Sequence, residues 1–480
     1  MRGVAMWRLA TRPQVHLPGL AEFIAVVSAS DMFSAHSPIY IGRAPGRLDL
    51  MGGIADYSGS LVLELPLEAA AFAAVQLVED PTLTVHSCNA DELGTAKASV
   101  SLEVRALLGG YPEVRDLLGA DPEAHWAAYV AGAVTVLHHE AGISPEGGMR
   151  LLLDSRVPPG KGVSSSAAVE VASMQAICNA LGLDVPPRQL AIWCQKVENL
   201  VVGAPCGVMD QMTAACGQQD ELLALLCQPA ELQGSVHLPA NVRVWGLDSG
   251  IRHAVSGADY TSVRVGAFMG YRIITQMEGL PSRQVGAGRV EVQDDIWRGY
   301  LANVPPSIWE SRYRDRVPPE MRGEDFLREY AGITDSVTRV DPGRLYAVRQ
   351  PTAHPIYEHH RVRLFRALLE ADPDEEALQL LGELMYQSHA SYSACGLGSD
   401  GTDLIVEMVR EAGPEAGLYG AKITGGGSGG TVAILGTADA EPTVREIAER
   451  YARETGREAT LISGSSPGAH ASKGLRLVRD

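Results

Sequence analysis

Apolar residues in the first part of the chain alternate with polar ones or run together over strand-length distances. The segment 61–78 shows this pattern, interrupted by Glu64, Pro66 and Glu68, and the segment 86–104 is similar to it. Such stretches predict β-strands that are buried on one or both faces. We therefore expect a sheet in the N-terminal part of the protein.

Helical spacing of apolar residues follows this predicted sheet. Residues 164–181 carry apolar side chains at helical spacing, with Ser164 as a candidate N-cap, and the pattern stops at Gly182. A second helix is predicted over about 188–202, before Gly203. Serine before a helix and glycine after it are the usual start and stop signals.

The second half of the chain begins with a predicted strand, Val242–Leu247, and contains a segment of unusual composition. Residues 281–350 are rich in Pro, Arg, Asp and Gly, which is typical of an elaborated insertion between helical pieces. We predict an N-terminal extension over 1–36, an N-terminal domain over 37–235 and a C-terminal domain over 236–480.

Composition limits the classes of function. The chain has 480 residues, of which 46% are hydrophobic, enough for large cores in more than one domain. A net charge of −18 argues against a surface for nucleic acid or an anionic membrane. The 7 cysteines form no Cys-x-x-Cys pair, which predicts reduced thiols and a cytoplasmic location. No apolar stretch is long and unbroken enough for a membrane span.

A glycine- and serine-rich segment begins at residue 157 and reads Val-Pro-Pro-Gly-Lys-Gly-Val-Ser-Ser-Ser-Ala-Ala. Gly160 and Gly162 permit close approach of a ligand just before a helix whose first amides lack partners. These amides and the helix dipole favour a phosphate, and Ser164–Ser166 add hydroxyls for phosphate oxygens or a cation. Taken alone, an ordinary loop that caps a core helix is an equal alternative.

A second glycine-rich segment, Gly425–Gly430, formally matches the dinucleotide fingerprint G-x-G-x-x-G. That fingerprint needs a helix after the loop, whereas Thr431–Leu435 is β-branched and strand-like. We therefore predict a glycine loop between two extended segments, with a plain glycine hairpin as the alternative.

A third element contains two carboxylates. Glu198 lies on the second predicted helix, and Asp210 follows in the tight turn Gly203–Gln211. A carboxylate in a glycine- and proline-rich turn is often held for a purpose. Taken singly, Glu198 is also compatible with a solvated helix residue and Asp210 with a helix cap.

Residues 42–60 read Gly-Arg-Ala-Pro-Gly-Arg-Leu-Asp-Leu-Met-Gly-Gly-Ile-Ala-Asp-Tyr-Ser-Gly-Ser. With the three elements above, this stretch resembles the galactokinase branch of the GHMP family of small-molecule kinases. Asp248–His253 and Tyr260 also resemble that branch. The runs Met51–Ser60 and Val201–Met212 are similar to the kinase portion of plant L-arabinokinases. Those proteins carry a long glycosyltransferase-like region before the kinase, so we expect a kinase module here.

The resemblance implies an α+β fold of two domains with the active site in the cleft between them. It implies ATP as phosphate donor and Mg²⁺ as its bridging ion, bound by Ser165 and Glu198. Asp210 would accept or polarise the proton of the sugar's C1 hydroxyl, with Arg47 beside it; on its own, Arg47 is also compatible with a structural ion pair. The implied nucleotide-binding residues are Gly160, Lys161, Gly162, Val163, Ser164, Ser165, Ser166, Ala167, Gly426 and Gly427.

The implied substrate-binding residues are Arg47, Gly53, Ile54, Asp56, Asp210 and Tyr260. Galactokinases read Gly-Glu-His-x-Asp-Tyr where this chain reads Gly-Gly-Ile-Ala-Asp-Tyr, so Asp56 is kept and its polar neighbours are replaced by Gly53 and Ile54. L-Arabinopyranose has the ring hydroxyls of D-galactopyranose without C6, which suits an apolar Ile54. A hydroxymethyl buried there without partners would lose roughly 1–3 kcal/mol. The missing side chain at Gly53 is expected to leave room, and exchange of both residues for Glu and His is expected to favour galactose. A simple repacking of the turn is the alternative.

The predicted function is transfer of the γ-phosphate of ATP to the anomeric hydroxyl of L-arabinose. One alternative is a galactokinase, or a kinase for a related galacto-configured sugar or uronic acid. Another is a non-catalytic sugar and ATP sensor, but such relatives tend to alter the Ser-Ser-Ser-Ala motif, which is intact here. A mevalonate or homoserine kinase is disfavoured by Asp56, Tyr57 and Tyr260. The predicted partners are sugar and ATP, without nucleic acid or membrane; the oligomeric state is left open.

Overall fold

The computed structural model describes residues 7–10, 12–91, 95, 97–251 and 258–479. Strands β1 to β18 are, in chain order, Arg8–Leu9, Ile39–Met51, Leu61–Val78, Thr82–Ser87, Ser99–Glu103, Gly148–Ser155, Glu221–Leu226, Glu231–His237, Val242–Asp248, Ser282–Gly286, Gly288–Val292, Glu320–Arg322, Gly332–Ile333, Leu345–Ala347, Leu418–Ile423, Thr431–Thr437, Leu461–Ile462 and Arg476–Val478. Helices α1 to α13 are Leu20–Ala29, Tyr111–Gly119, Ala128–Ala141, Ser165–Ala180, Pro187–Lys196, Met209–Cys216, Ala258–Met277, Pro306–Ile308, Gly323–Tyr330, Arg349–Glu370, Glu375–Ala394, Asp400–Ala412 and Glu441–Thr455.

The larger sheet has nine strands and carries the N-terminal elements. Its main path runs β1-β18-β2-β3-β6-β4-β5. Strand β7 pairs with the first residues of β3, Leu61–Glu64, and β8 pairs with β7. Helix α4 lies directly on β2, because a Cβ built at Gly42 would be 2.0 Å from the carbonyl oxygen of Ala172. This close packing fixes where the N-terminus of α4 points.

The smaller sheet has four strands in the order β15-β16-β9-β17 and carries the C-terminal elements. Helix α11 packs closely on β15, since Gly382 lies against the main chain of Tyr419 and Gly420. Strands β15 and β16 are antiparallel and flank the loop that contains Gly425 to Gly430. The glycine loop therefore lies between two extended segments, as predicted, and because these two strands pair with each other it is also the hairpin of the alternative.

The predicted insertion forms a structured unit with its own core. Its strands make a sheet of three, β10-β11-β13, and a sheet of two, β12-β14. Trp309, Tyr313 and Phe326 are fully or almost fully buried in a hydrophobic cluster with residues of α7 and α10. The insertion is therefore attached to two long helices that lead toward the rest of the molecule.

The two predicted helices exist with shifted ends. The first becomes α4, and Ser164 occupies its N-cap position as predicted, although its φ is 60° and its side chain makes no capping hydrogen bond. The second, α5, ends at Lys196 and continues as a π-helical turn, Val197–Val202.

Strands β1 and β18, from the two ends of the described chain, both lie in the larger sheet, whereas the sequence analysis assigned residues 236–480 to one C-terminal domain. The proposed domain boundaries stay a prediction. The described residues include no helix that is long and apolar enough to cross a membrane.

Candidate active site

Most of the predicted site residues line one cavity of about 620 Å³. They come from β2 and the short helical turn after it, from the loop before α4 and the first turn of that helix, from the π-helical turn after α5, from the start of α6, from α7 and from the glycine loop after β15. The predicted residues on its wall are Arg47, Gly53, Ile54, Asp56, Gly160, Gly162, Ser164, Ser165, Ser166, Glu198, Asp210, Tyr260 and Gly426. Cys206, Gly207, Met209 and Gly425 also line it.

Four predicted nucleotide-binding residues lie behind this wall. Val163 and Ala167 are fully buried. Lys161 forms an ion pair with Asp248, with 2.5 Å between Nζ and Oδ2. Gly427 has a positive φ of 77°, and a Cβ there would be 2.8 Å from Leu397. These residues shape the loops that carry the lining residues.

Arg47 and Asp210 form the central charged pair of the cavity. The Nε and Nη2 atoms of Arg47 lie 3.0 and 2.9 Å from Oδ1 of Asp210, and Nη1 donates to the carbonyl oxygen of Gly162 at 2.7 Å. Arg47 is buried, whereas the Asp210 side chain is 21% exposed. Burial alone would lower the pKa of Arg47, but the charges of Asp210 and Glu64 raise it above its ordinary value. The guanidinium is therefore a fixed positive charge that connects the Asp210 carboxylate to the loop before α4.

The loop before α4 has the features of an anion site. Gly160 and Gly162 both have positive φ, of 69° and 72°, so the loop adopts turns that favour glycine. The first amides of α4 lack intrahelical acceptors and point toward the cavity end of the helix. The buried hydroxyl of Ser164 has no hydrogen-bond partner among the described residues. Free amides, a helix dipole and a free hydroxyl together suit a phosphate group.

Glu198 lies in the π-helical turn after α5 and is buried at the cavity wall. Its Oε2 accepts a hydrogen bond of 2.6 Å from Nε2 of Gln211, which also donates to Glu170 at 3.1 Å. Burial and the charge of Asp210 raise the pKa of Glu198 to about 7, while hydrogen bonds from Cys206 and other neighbours oppose this shift. Its position in an irregular turn matches the frequent occurrence of π-bulges at functional sites.

Asp56 is held against the main chain of the segment before α6. A Cβ built at Gly207 would lie 1.5 Å from Oδ2 of Asp56, so only glycine fits at that position. Burial and the charge of Asp210 raise the pKa of Asp56 to about 7, whereas Arg264 lowers it. Arg264 in turn donates to the carbonyl oxygen of Cys206 at 3.1 Å. The Asp56 carboxyl is thus fixed by backbone packing and stabilised by a neighbouring arginine.

Arg264 connects this site to the insertion. Its Nε and Nη2 atoms bind the two carboxylate oxygens of Asp335 at 2.8 and 3.0 Å, and both side chains are buried. The guanidinium also lies 5.2 Å from the centre of the Tyr57 ring. The insertion therefore reaches the wall of the cavity through one buried ion pair.

The apolar wall of the cavity contains Ile54 and Tyr260. Ile54 is 2% exposed and packs in a small hydrophobic cluster with Tyr260, Tyr392 and Leu397. The Tyr260 ring meets Tyr57 edge to face, with 6.1 Å between ring centroids. Ile54 thus presents hydrocarbon to the cavity at one of the two positions where galactokinases carry polar side chains.

The expectation that Gly53 leaves room in the pocket is wrong. Gly53 has φ of 40°, and a Cβ built there would lie 1.5 Å from the hydroxyl oxygen of Tyr392. That hydroxyl accepts a hydrogen bond from the Ile54 amide at 2.9 Å. The space beside Gly53 is occupied by a tyrosine from α11.

A second cavity of about 750 Å³ shares Ser165 and Ser166 with the first. Its other lining residues are mostly apolar or aromatic; they are Ser87, Asn89, Trp126, Tyr129, Leu153, Ser155, Val157, Pro159 and Val169. Sequence reasoning missed these residues, although Val157 and Pro159 directly precede the phosphate loop. Arg252 and His253, which belong to the segment singled out beside Tyr260, lie outside the described residues.

Three family models match parts of the chain. The model for the GHMP kinases N terminal domain matches residues 128–218, and the GHMP kinases C terminal model matches residues 365–454. The model for the galactokinase galactose-binding signature matches residues 30–77. The matched ranges contain the loop before α4, the glycine loop and the strand that carries Arg47.

Two curated relatives illustrate the range of similarity. An L-arabinokinase from Arabidopsis thaliana is 46% identical over 499 residues, which cover 94% of this chain and 48% of that protein. The chain therefore spans about half the length of that relative. A galactokinase from Chloroflexus aurantiacus is 26% identical over 440 residues, covering 91% of this chain and 94% of the relative.

Solved structures share the fold at low sequence identity. Lactococcus lactis galactokinase complexed with galactose has a TM-score of 0.69 and 21% identity, covering 90% of this chain and 94% of that one. A mevalonate kinase has a TM-score of 0.51 and 13% identity, covering 89% and 99% of the two chains. These similarities confirm the predicted α+β fold of two domains.

Proposed function

We propose that the chain is a member of the GHMP kinase family and, within it, a sugar 1-kinase that transfers the γ-phosphate of ATP to the anomeric hydroxyl of L-arabinose. The observation that carries this proposal is one cavity that joins the phosphate loop, the Arg47–Asp210 pair and the sugar signature. The 46% identity to a plant L-arabinokinase supports the choice of sugar.

In the proposed reaction, the C1 hydroxyl oxygen of the sugar attacks the γ-phosphorus, and the bond from that phosphorus to the β,γ-bridging oxygen breaks. ADP leaves, and the hydroxyl proton passes to the Asp210 carboxylate. Arg47 holds Asp210 in place through two contacts near 3 Å and adds positive charge beside the transferring group. Positioning and electrostatic stabilisation of this kind supply most of the catalysis in phosphoryl transfer.

The triphosphate of ATP is proposed to lie along the loop before α4. The free amides at the start of this helix and the unpartnered Ser164 hydroxyl are donors for phosphate oxygens. Gly425 and Gly426, from the glycine loop, line the same cavity and permit close approach. The adenosine is proposed to occupy the second, more apolar cavity, because the two cavities meet at Ser165 and Ser166.

Mg²⁺ is proposed to bind between Ser165 and Glu198, which both line the first cavity. Ser165 and Glu198 offer a hydroxyl and a carboxylate oxygen, the ligand types that Mg²⁺ prefers. Among the described residues, no group of three or more His, Cys, Asp or Glu side chains is arranged to hold a metal. A bound Mg²⁺ would therefore take its remaining ligands from phosphate and water, and it would neutralise charge on the transferring phosphoryl group.

The proposed sugar preference rests on the wall at residues 53 and 54. Asp56 is proposed to accept hydrogen bonds from ring hydroxyls, because it matches the aspartate of the galactokinase signature. Ile54 offers hydrocarbon where a C6 hydroxymethyl would need polar partners, and leaving that hydroxyl unpaired would cost roughly 1–3 kcal/mol. L-Arabinose has no such group.

The test is an ATP-turnover assay with L-arabinose, D-galactose and their acid relatives at matched concentrations. We expect the largest kcat/KM with L-arabinose and a product whose phosphate is on the anomeric carbon, as seen by ³¹P NMR. Faster turnover with D-galactose would refute the pentose assignment. Sugar binding without any transfer would instead support the sensor alternative, which the intact serine motif and Asp210 disfavour. A cytoplasmic location stays a prediction.

A further inference from the structure

Tyr392 occupies the place that a side chain at residue 53 would take. It lies on α11 and is fully buried. A Cβ built at Gly53 would be 1.5 Å from its hydroxyl oxygen and 2.8 Å from Cζ of its ring. That Cβ would also lie 2.7 Å from Oδ2 of Asp49, and φ of 40° disfavours any side chain, so Tyr392 makes the shortest of several contacts that require glycine at residue 53.

The hydroxyl of Tyr392 also joins two loops of the active site. It accepts a hydrogen bond of 2.9 Å from the amide of Ile54 and donates one of 2.9 Å to the carbonyl oxygen of Gly425. Ile54 belongs to the sugar signature, and Gly425 begins the glycine loop after β15. Both line the cavity, whereas Tyr392 itself does not.

The buried Tyr392 ring packs between neighbours from other elements. His354 meets it edge to face at 5.2 Å, and Nζ of Lys422 lies 5.1 Å from the ring centroid. Lys422 is itself held by a fully buried ion pair with Asp49, whose Oδ1 accepts from the Gly53 amide at 2.9 Å. The hydroxyl is therefore a fixed part of the wall behind Gly53 and Ile54.

We propose that Tyr392 is a specificity-determining positioning residue, which excludes a polar side chain at residue 53 and fixes Ile54 toward the sugar. This inference rests on the proposed sugar kinase function. It predicts that the effect on sugar preference of a substitution at residue 53 or 54 depends on which residue is present at position 392. The exchange of Gly53 and Ile54 for Glu and His can favour galactose only when Tyr392 is shortened at the same time.

The mild test is Tyr392→Phe in the full chain, with kcat and KM measured for L-arabinose, D-galactose and ATP. Loss of the two hydrogen bonds frees the Ile54 main chain, so we expect the KM for L-arabinose to rise about three- to tenfold. The kcat should change little, whereas the KM for ATP should also rise because the Gly425 carbonyl loses its hydrogen bond, so the comparison of the two sugars is the decisive readout. The ratio of kcat/KM for L-arabinose to that for D-galactose should fall by a similar factor.

The matched control is Tyr451→Phe. Tyr451 is also fully buried, and its hydroxyl donates to the main-chain carbonyl of Ser249 at 2.7 Å, away from the sugar signature. We expect this variant to lower the thermal unfolding temperature without altering the ratio between the two sugars. The proposal is overturned if Tyr392→Phe leaves that ratio unchanged, as the control should.

The second test examines the contact between residue 53 and Tyr392 independently of the proposed kinase activity. Gly53→Ala should lower the unfolding temperature, in part because of the contact with Tyr392, and it should lower it by less in a Tyr392→Leu background than in the wild-type protein; that smaller loss is the recovery to be measured. If wild-type protein phosphorylates neither sugar, the proposed function fails while this comparison still decides the packing claim. Absence of any recovery, or an unperturbed Gly53→Ala variant, would overturn the inference.

Discussion

The buried ion pair between Arg264 and Asp335 leads to a quantitative prediction. Both side chains are almost fully buried, at 5% and 3% exposure, and they meet through two hydrogen bonds of 2.8 and 3.0 Å. Burial alone would raise the pKa of Asp335, but the Arg264 charge and several hydrogen bonds hold it below its ordinary value. Asp335 is therefore ionised, and its removal leaves an arginine charge buried without its partner.

Asp335→Ala is expected to lower the free energy of unfolding by about 3–5 kcal/mol, the usual cost of removing one partner of a buried ion pair. The control is Glu291→Ala, which breaks the Arg283–Glu291 pair within the same insertion. Those side chains are 78% and 56% exposed, so a loss of about 0–1 kcal/mol is expected. Urea denaturation followed by tryptophan fluorescence suits the measurement, because buried Trp309 lies in the core of the insertion.

Asp335→Ala should also raise the KM for the sugar, because Arg264 supports the Cys206 carbonyl and the charge of Asp56. The double variant Arg264→Met with Asp335→Leu should regain most of the stability, since an apolar pair of similar volume often replaces a buried ion pair without loss. It should not regain the sugar KM. A loss below about 1 kcal/mol for Asp335→Ala, equal to that of the control, would refute the reasoning.

Further predictions concern the cavity itself. Asp210→Asn should lower kcat by about 10²–10⁴-fold while calorimetry still detects sugar binding; unchanged kcat would exclude Asp210 as the base. Gly207→Ala, whose Cβ would lie 1.5 Å from Asp56, should raise the sugar KM and leave the KM for ATP unchanged. Gly119→Ala, with open space around it, is the control and should alter neither. Burial and the charge of Asp210 raise the pKa of Asp56 to about 7, which predicts that kcat/KM for the sugar falls as the pH drops through 7, because Asp56 accepts hydrogen bonds in its ionised form. A flat profile from about pH 6 to 8 would contradict this assignment.

Local signals predicted the phosphate loop and the glycine loop because their chemistry lies in consecutive residues. The loop before α4 needs glycines and serines next to a helix start, and Gly425–Gly430 needs extended segments on both sides. Each signal depends on neighbours within a few positions; the structure has a loop before α4 and a glycine loop between β15 and β16 at these residues, while their binding of phosphate stays a prediction.

The wall around the sugar was predicted less well because its partners are far apart in the chain. Tyr392 is 338 positions from Ile54, and Asp335 is 71 positions from Arg264. Neither pairing leaves a pattern that one sequence reveals, since the partners are too far apart in the chain to form a local motif. For the same reason, the missing side chain at Gly53 suggested empty space, although a distant hydroxyl fills it.

The place of β18 in the larger sheet has a consequence for synthesis of the protein. Arg476 and Leu477 pair with Tyr40 and Ile39, and Leu477 is fully buried beside Phe23. Domains usually fold as units while the chain emerges from the ribosome, with N-terminal ones first. Here the N-terminal sheet stays incomplete until β18 has been translated, so its edge at β2 is open to chaperones and to aggregation during most of elongation.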